Sequence, residues 1–525
     1  MLRNLDTLAE TFLDVLIVGG GIHGAALVRH AARAGYVTGL LEKDDFCAAT
    51  SANSLKILHG GLRYLQHLNF RRMRHSITAR REMMRIAPHL VKPLACLMPL
   101  SGKGVRSRPV MRTALLLNDC IGWDRNLGLP EDIRLPGGRV LSRQECLAAV
   151  PGLAGKKTVG ASVWYDALAV NSERLALEYI LDGVEHGAQV ANYAEVTEIA
   201  RQEKAFVPVT ARDRLTGKEY RIRARYVINA AGPWFETLLR PGDDKEHGCK
   251  WALALNIVSK KQIFSKYAVA LEGQRSYEDR DAVVKRGKRL YFFVPWRGRT
   301  MIGTEYEESG QNPDNLRVRA ETICNMVEEI NAIYPPARLD FSDITFYHAG
   351  LLPMSGKTES GAVQLQKNSI FSADRDWSRV LSVKGVKYTT APHVAREVVR
   401  YLKRHLPPRG KGSRLVTPAV AGKTGPASAQ REKIAAGKNR CPDEINRPAK
   451  ADVLYFIAEE MACTLSDIVF RRTGLGTAEC PDRRLLEELA DWMGAVLEWD
   501  ETRQRQEIET VFQRYAPLQT GEPSP

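Results

Sequence analysis

No stretch of this 525-residue chain approaches the roughly 18 to 20 consecutive apolar residues that a membrane-spanning helix needs. The opening Met1-Leu2-Arg3-Asn4-Leu5-Asp6 has no signal-peptide core, so a cytoplasmic protein is expected. Nine cysteines are scattered from Cys47 to Cys480 with no Cys-x-x-Cys pair, and both the odd count and the spacing argue for reduced thiols rather than a disulfide frame or a metal site. Internal repeats are absent. The histidines His23, His30 and His67 fall in helix-like surroundings without ligand-spaced partners, so they are read as structural and no metal is expected. Ser51 and Ser54 lack the strand-turn-helix context of a nucleophile elbow.

What the chain does have is 44% hydrophobic residues with 26% charged, and enough length for two or three domains around well-buried cores. Its net charge is +15. Basic residues cluster at Arg71-Arg72-Met73-Arg74, Arg80-Arg81, Lys260-Lys261, Lys285-Arg286-Gly287-Lys288-Arg289 and between Lys403 and Lys450. No nucleic-acid fold signature accompanies them, so nucleic acid is not an expected partner. Solvated surface is the plain reading of this charge, and peripheral contact with an anionic membrane at the inner face of the cell membrane is the functional alternative.

The apolar run Asp14-Val15-Leu16-Ile17-Val18 ends in Gly19-Gly20-Gly21-Ile22-His23-Gly24 and opens into Ala25-Ala26-Leu27-Val28-Arg29. A continuous aliphatic run predicts a parallel strand covered on both faces. Gly19, Gly21 and Gly24 then give the GxGxxG spacing: a tight turn, an approach of backbone N–H groups to a pyrophosphate, and close helix packing. A second run, Val37-Thr38-Gly39-Leu40-Leu41, ends in Glu42, where a carboxylate would accept ribose hydroxyls and repel a 2′-phosphate. A dinucleotide-binding unit is expected here.

The remaining pattern is α/β. The loop Cys47–Ser54 leads to Lys56-Ile57-Leu58-His59-Gly60-Gly61-Leu62-Arg63-Tyr64-Leu65, and helical spacing runs from Phe70 to Pro88. A strand from Arg225 enters the small-residue turn Asn229-Ala230-Ala231-Gly232-Pro233-Trp234, a form that lets backbone approach a flat ligand. Short apolar runs between Ile263 and Gly303 predict an antiparallel sheet. Val380-Leu381-Ser382-Val383 precedes Lys384-Gly385-Val386-Lys387-Tyr388-Thr389-Thr390 and a helix over His393–His405. Residues 407–447 read as a flexible basic linker, and Ala449–Tyr515 as helical, with Leu454, Ile457, Ala458 and Met461 on one apolar face.

Together these segments resemble the FAD-dependent glycerol-3-phosphate dehydrogenases, a branch of the D-amino-acid-oxidase-like flavoproteins. Ala49-Thr50-Ser51 through Lys56 to Leu65 looks like that family's signature. Asn229–Trp234 is similar to its second flavin segment, Val294-Pro295-Trp296 with Ile302-Gly303-Thr304 to its substrate sheet, and Met461–Asp467 with Arg471-Arg472-Thr473 to its C-terminal helices. The resemblance implies a Rossmann-type FAD-binding domain over 12–245, with an inserted helical segment at about 66–140. It further implies a substrate domain on an antiparallel sheet over 246–345, a return to the FAD domain over 346–406, and a C-terminal α-helical domain over 448–520.

The resemblance also implies a reaction: hydride passes from substrate C2 to flavin N5, dihydroxyacetone phosphate is formed, and electrons leave to a quinone or another acceptor. By resemblance the flavin would be held at Gly19, Gly21, Gly24, Glu42, Thr50, Ser51, His59, Gly60, Gly61, Val196, Ala231, Gly232 and Thr389. Arg63 and Lys387 would be catalytic, with Arg63, Tyr64, Leu352 and Lys387 lining the substrate. The plainer readings are a surface ion pair for Arg63 and a solvated loop cation for Lys387. A homodimer is left open.

At two points the chain departs from the family. The arginine of a Gly-hydrophobic-Arg-Pro turn that grips phosphate is replaced, since Gly350-Leu351-Leu352-Pro353 stands there, and a Lys-Gly-Ser-His segment is replaced by Ala252-Leu253-Ala254-Leu255-Asn256-Ile257-Val258. Lys260, Lys261, Arg297, Lys357 and Lys367 are candidates to supply the lost charge. Two alternatives therefore stand beside the dehydrogenase: an oxidase of another small hydroxy or amine substrate, and a non-catalytic FAD-binding homologue.

Overall fold

The computed structural model describes residues 1, 3–154, 157–203, 205–238, 249–278, 286–358, 361–373, 378–410 and 447–519. The side chain of Arg63 is outside the described set, as is nearly all of the expected linker.

The strand Phe12–Val18 lies in the middle of an eight-stranded sheet, parallel to Thr38–Leu41 on one side and to Glu219–Asn229 on the other. Leu13, Val15, Leu16 and Ile17 are fully buried because helices or further strands cover both faces, which is why the run need not alternate. Val380–Lys384 extends the sheet beyond Glu219–Asn229, and Gln189–Ala191 extends it beyond Thr38–Leu41. The helix Ile22–Arg33 packs between Ser172–Glu185 and Ala391–His405; its Ala25, Ala26, Ala31 and Ala32 allow the close approach. This is a Rossmann-type α/β core.

A second sheet of ten strands carries the other layer, antiparallel except where Ala268–Glu278 runs parallel to Val91–Leu100. Toward one end of it Trp251–Ser259 lies between Arg299–Ser309 and Ile344–Lys357. The pairing puts Ile344–Lys357 in this sheet rather than in the returning dinucleotide half, which resumes only at Ile370–Ala373. The stretch at about 66–140 is also not helical throughout. It holds the helices Phe70–Ile86 and Arg108–Ile121, but between them Val91–Leu100 is a strand paired along its length with Gly160–Ala169. Pro93 and Pro99 explain this, since neither can sit inside a helix.

The C-terminal helices Lys450–Glu460, Arg483–Leu497 and Glu501–Gln513 close over both halves. The first of them does not bury the face expected from sequence. Val453, Phe456 and Glu460 point inward, while Leu454 and Ile457 are half-buried, Ala458 is exposed, and Met461 sits beyond the helix end at φ 56°. The apolar periodicity was misleading because the inward position is a glutamate: Glu460 Oε2 accepts from Arg174 at 2.5 Å, with Arg472 at 3.6 Å. A buried carboxylate is tolerated when cations face it.

Buried carboxylates of this kind set the acid stability. Burial raises the Glu82 carboxyl, but His30, Arg396 and Arg29 outweigh it and hold it at about 2; Arg74 and Arg81 hold Asp124 at about 2. Both lie below their ordinary values of 4.5 and 3.8, so their stabilising contribution is complete above about pH 4.5 and is lost as pH falls toward 2. The melting temperature is therefore expected to drop between pH 4.5 and 2. Melting curves unchanged across that window would contradict the pairing.

Candidate flavin and substrate site

The glycine turn places the helix Ile22–Arg33 with its first turn open. A Cβ at Gly24 would lie 1.8 Å from the Gly19 carbonyl oxygen, and one at Gly19, whose φ is +103°, would lie 2.7 Å from the Ala230 oxygen and 2.9 Å from Ala231 Cα. The two small-residue turns, Gly19–Gly24 and Ala230–Gly232, are thus stacked backbone on backbone. Ser51 Oγ accepts the Ile22 N–H at 3.0 Å and faces Gly21, so the loop before Lys56 covers the same helix end. Glu42 Oε2 accepts the Gly20 N–H at 2.6 Å and Oε1 the Asp44 N–H at 2.9 Å. Burial pushes the Glu42 carboxyl up to about 7 despite these two donors.

Four of the expected cofactor residues, Gly19, Gly21, Gly24 and Glu42, therefore meet at one helix N-terminus, with Ser51 and Ala231 beside them. Gly232, at φ +56°, has open space where a Cβ would stand. Two of the expected residues turn away from it. The Gly60 N–H donates to Asp166 Oδ1 at 2.5 Å, and the Arg80 guanidinium fills the space beside its Cα, so Gly60 faces an ion pair and not a ligand. Val196 sends its side chain into the apolar layer with Leu16, Val18 and Ala211, leaving only backbone for any contact. Both placements follow from the packing of neighbouring elements across the chain, which a local motif does not reveal.

The second cluster is built around Tyr64, which is buried at 2% exposure. Lys387 Nζ donates to its hydroxyl and lies 4.5 Å from the ring centroid; the Arg72 guanidinium is 4.3 Å from it, and the His59 ring meets it edge-on at 5.7 Å. Gly61, at φ +92°, lies against the same ring. Thr389 is buried two residues beyond Lys387. Two contacts lead away from the glycine turn, one to the Lys387 segment and one to the strand carrying Leu352. The His23 ring packs on Gly385, where a Cβ would come within 2.3 Å, and Thr50 beside Ser51 exchanges hydrogen bonds of 3.2 Å with the Leu351 backbone, next to Leu352. Burial lowers His23 to about 4, so the ring is neutral, and its Nε2 is a buried polar atom with no protein partner.

Leu352 is half-buried and pairs across the sheet with Ala252. Four of the five cations considered for its missing charge are engaged elsewhere. Lys261 and Lys260 reach Asp343 at 2.6 and 3.4 Å, Lys357 pairs with Glu308, and Arg297 donates to the Gly474 carbonyl at 2.5 Å and to Thr477 Oγ1 at 3.0 Å. Asn256 donates to the Asn53 carbonyl at 3.3 Å and accepts from Thr304 Oγ1 at 2.7 Å. His348, opposite Asn256, turns its buried ring to the Thr477 carbonyl at 3.1 Å and so does not replace the absent histidine.

Sequence reasoning missed Lys56. Its Nζ is buried between Glu173 at 2.9 Å, Ser172 Oγ at 2.8 Å and the Ala52 carbonyl at 2.7 Å, and it ties the Thr50–Ser51 loop to the helix Ser172–Glu185. The available signal was a lysine at the start of an apolar run. Among the described residues no cluster of His, Cys, Asp and Glu suits a metal, the described cysteines form no disulfide, and no helix is long and apolar enough to cross a membrane.

A paired strand, a glycine turn backed by a second small-residue turn, and a carboxylate on the turn define a flavin-type dinucleotide site. The chain belongs to the FAD-dependent oxidoreductase family, whose profile matches residues 14–401. Residues 430–504 match the C-terminal domain of alpha-glycerophosphate oxidase. The chain is 26% identical to the aerobic glycerol-3-phosphate dehydrogenase of Bacillus subtilis, over 97% of this chain and 96% of that one. It is 30% identical to the glycerol-3-phosphate dehydrogenase of Pseudomonas aeruginosa, over 75% and 72%. A solved glycerol-3-phosphate dehydrogenase from Bacillus halodurans complexed with FAD superposes with a TM-score of 0.70 at 22% identity, covering 98% of this chain and 96% of that one. The residues at the glycine turn fit FAD: they offer a cradle that a Cβ would fill, a helix N-terminus for the pyrophosphate, and a carboxylate for the ribose.

Proposed function

We propose that this protein oxidises glycerol 3-phosphate or a close relative at C2 and passes the electrons to a quinone or another acceptor. The reading is carried by one observation: similarity to glycerol-3-phosphate dehydrogenases runs nearly end to end, through both the dinucleotide half and the C-terminal helices. FAD, when bound, supplies the acceptor for the substrate's hydride. The chain supplies the rest. Gly21 and the first turn of Ile22–Arg33 hold the pyrophosphate, and Glu42 holds the ribose. Ser51, Thr50, Ala231 and Gly232 shape the flavin side, with Thr389 and Gly61 bordering it. Lys387 and Tyr64 form a hydrogen-bonded cation–hydroxyl pair that lowers the pKa of the substrate hydroxyl, so that its proton passes to water. Arg63 orients an anionic end of the substrate.

Leu352 supplies no charge, so phosphate is held by fewer donors than in a pocket with an arginine there. An arginine would add a planar fork matched to phosphate oxygens. Wild-type protein is expected to bleach anaerobically with glycerol 3-phosphate at a high Michaelis constant, and Leu352→Arg to lower that constant about tenfold, equivalent to ~1.4 kcal/mol. Bleaching by an amine or hydroxy acid alone, with peroxide release, would favour the oxidase reading.

The acceptor reading is supported by a surface. Eight of the eleven exposed large apolar side chains among the described residues fall between Leu68 and Leu127, led by Trp123 at 76% exposure. That stretch carries twelve Lys and Arg against three Asp and Glu. The helix Arg108–Ile121, which carries Val110, Leu116 and Leu117, is in contact with the turn Leu62–His67, which Leu68 and Phe70 follow in sequence. Apolar side chains within a basic field suit the interface of an anionic bilayer. Co-sedimentation with anionic vesicles at low salt, released at high salt and weakened by Trp123→Glu, is expected. Equal partition onto neutral vesicles would remove the electrostatic part of the argument.

A further inference from the structure

The Arg471-Arg472 pair has no part in the chemistry above, yet both guanidinium groups are buried against the segment that carries Glu42. Arg472 Nη1 and Nη2 donate to the two oxygens of Asp45 at 2.7 and 3.0 Å, and Arg471 Nε donates to Asp45 Oδ2 at 2.6 Å. Asp45 is fully buried. Asn192 Nδ2 bridges the same carboxylate, at 3.0 Å, to the Met461 carbonyl, at 2.8 Å. Arg472 Nη2 also donates to the Glu460 carbonyl at 2.7 Å, so the pair is anchored in the C-terminal helices.

The other side of this short segment touches the glycine turn at three points. Glu42 Oε2 accepts the Gly20 N–H at 2.6 Å, the Cys47 N–H donates to the Gly20 carbonyl at 3.1 Å, and the Phe46 ring lies 2.9 Å from where a Gly20 Cβ would stand. Residues 42–47 are therefore wedged between the glycine turn and two arginines more than 400 positions away in sequence. The carboxylates at the two faces are treated oppositely. Burial raises Asp45, but Arg472 and Arg471 overcome it and hold it at about 2, whereas Glu42, with only two backbone donors, is pushed up to about 7. Without its cations Asp45 would be a buried charge with a single amide donor, and the segment would have to shift to hydrate it. Any such shift moves Glu42, Phe46 and Cys47 off Gly20.

We propose that Arg472, with Arg471, is a positioning residue of the dinucleotide site: by holding Asp45 it fixes the 42–47 segment, and through it Gly20, so that docking of the C-terminal helices and binding of FAD are coupled. The inference rests on the placement of FAD at the glycine turn. A coupling of this kind is reciprocal. FAD must stabilise the docked C-terminal helices as much as their docking favours FAD, with Asp45 and the 42–47 segment as the link.

The test combines FAD titration of the full-length apoprotein, followed by flavin fluorescence, with amide hydrogen exchange. Arg472→Met is expected to raise the FAD dissociation constant at least tenfold, and Arg472→Lys to recover part of the loss. The double variant Asp45→Asn/Arg472→Met is expected to lose less than the product of the single effects, since neither partner is then left charged and alone. In unmodified protein, adding FAD should slow exchange in peptides spanning Glu460–Thr473. A dissociation constant within twofold of wild type in folded Arg472→Met overturns the proposal, and so does FAD-independent exchange in those peptides; the second readout needs no variant to fold. Gly21→Val separates the two readings. If it keeps FAD, the placement at the glycine turn fails; if it loses FAD while Arg472→Met binds normally, only the coupling fails.

Discussion

Gly24→Ala is expected to purify as colourless apoprotein. The added methyl carbon would stand 1.8 Å from the Gly19 carbonyl oxygen and 3.0 Å from its carbon, both backbone atoms. Gly19 cannot retreat, because its own Cα is set against the Ala230 carbonyl and Ala231, at φ +103°. The helix Ile22–Arg33 would have to lift away from the strand Phe12–Val18, and the N–H groups of its first turn would leave the pyrophosphate. Gly21 is more forgiving: the nearest atom to a Cβ there is the Ser51 hydroxyl oxygen at 3.1 Å, a group that can rotate. Gly21→Ala should therefore retain some FAD, and Gly21→Val should not. Flavin absorbance relative to protein absorbance in purified material reads the result. A Gly24→Ala protein as yellow as wild type would sink the assignment of FAD to this turn.

The glycine turn was legible in sequence because its logic is local: an aliphatic strand, three glycines at fixed spacing and a small-residue helix lie within about twenty positions. The strands at Asp14–Val18, Arg225–Asn229 and Val380–Val383 could be read for the same reason, and so could the helix over His393–His405. Long-range pairing could not. Tyr64 and Lys387 are 323 positions apart and were named separately, and only the folded chain puts the ammonium on the phenol. The Asp45–Arg472 contact spans 427 positions and left no pattern. The face of Lys450–Glu460 was misread because hydropathy assigns Glu460 to solvent, while Arg174 and Arg472 hold it inside. Gly60 was grouped with Gly61 as ligand-facing, yet Asp166 and Arg80 claim it, two residues drawn from a strand and a helix that no motif links to it.

Lys387→Met should keep FAD and lose turnover. The Lys387 ammonium donates to the Tyr64 hydroxyl and lies over its ring at 4.5 Å, within the cluster where an oxygen of the substrate would be brought. A hydroxyl placed beside it ionises more readily, since a cation within about 4 to 6 Å favours the charged form. Methionine keeps the length and apolar stem of lysine and removes only the charge and the donors. Loss of a positioned charge that stabilises a developing oxyanion costs about 10² to 10³ in rate, so kcat is expected to fall by that factor, with a smaller change in KM. Tyr64→Phe keeps the ring that Gly61, Arg72 and His59 pack against but removes the hydroxyl, and should cost less, about tenfold, through misplacement of the ammonium. Protonation adds a second readout: if the Lys387 charge stabilises the substrate oxyanion, the pH profile of kcat/KM loses its alkaline limb in Lys387→Met and keeps it in Tyr64→Phe. Turnover within threefold of wild type in Lys387→Met, with an unchanged pH profile, would remove this residue from the chemistry and leave the Arg63 segment as the place to look.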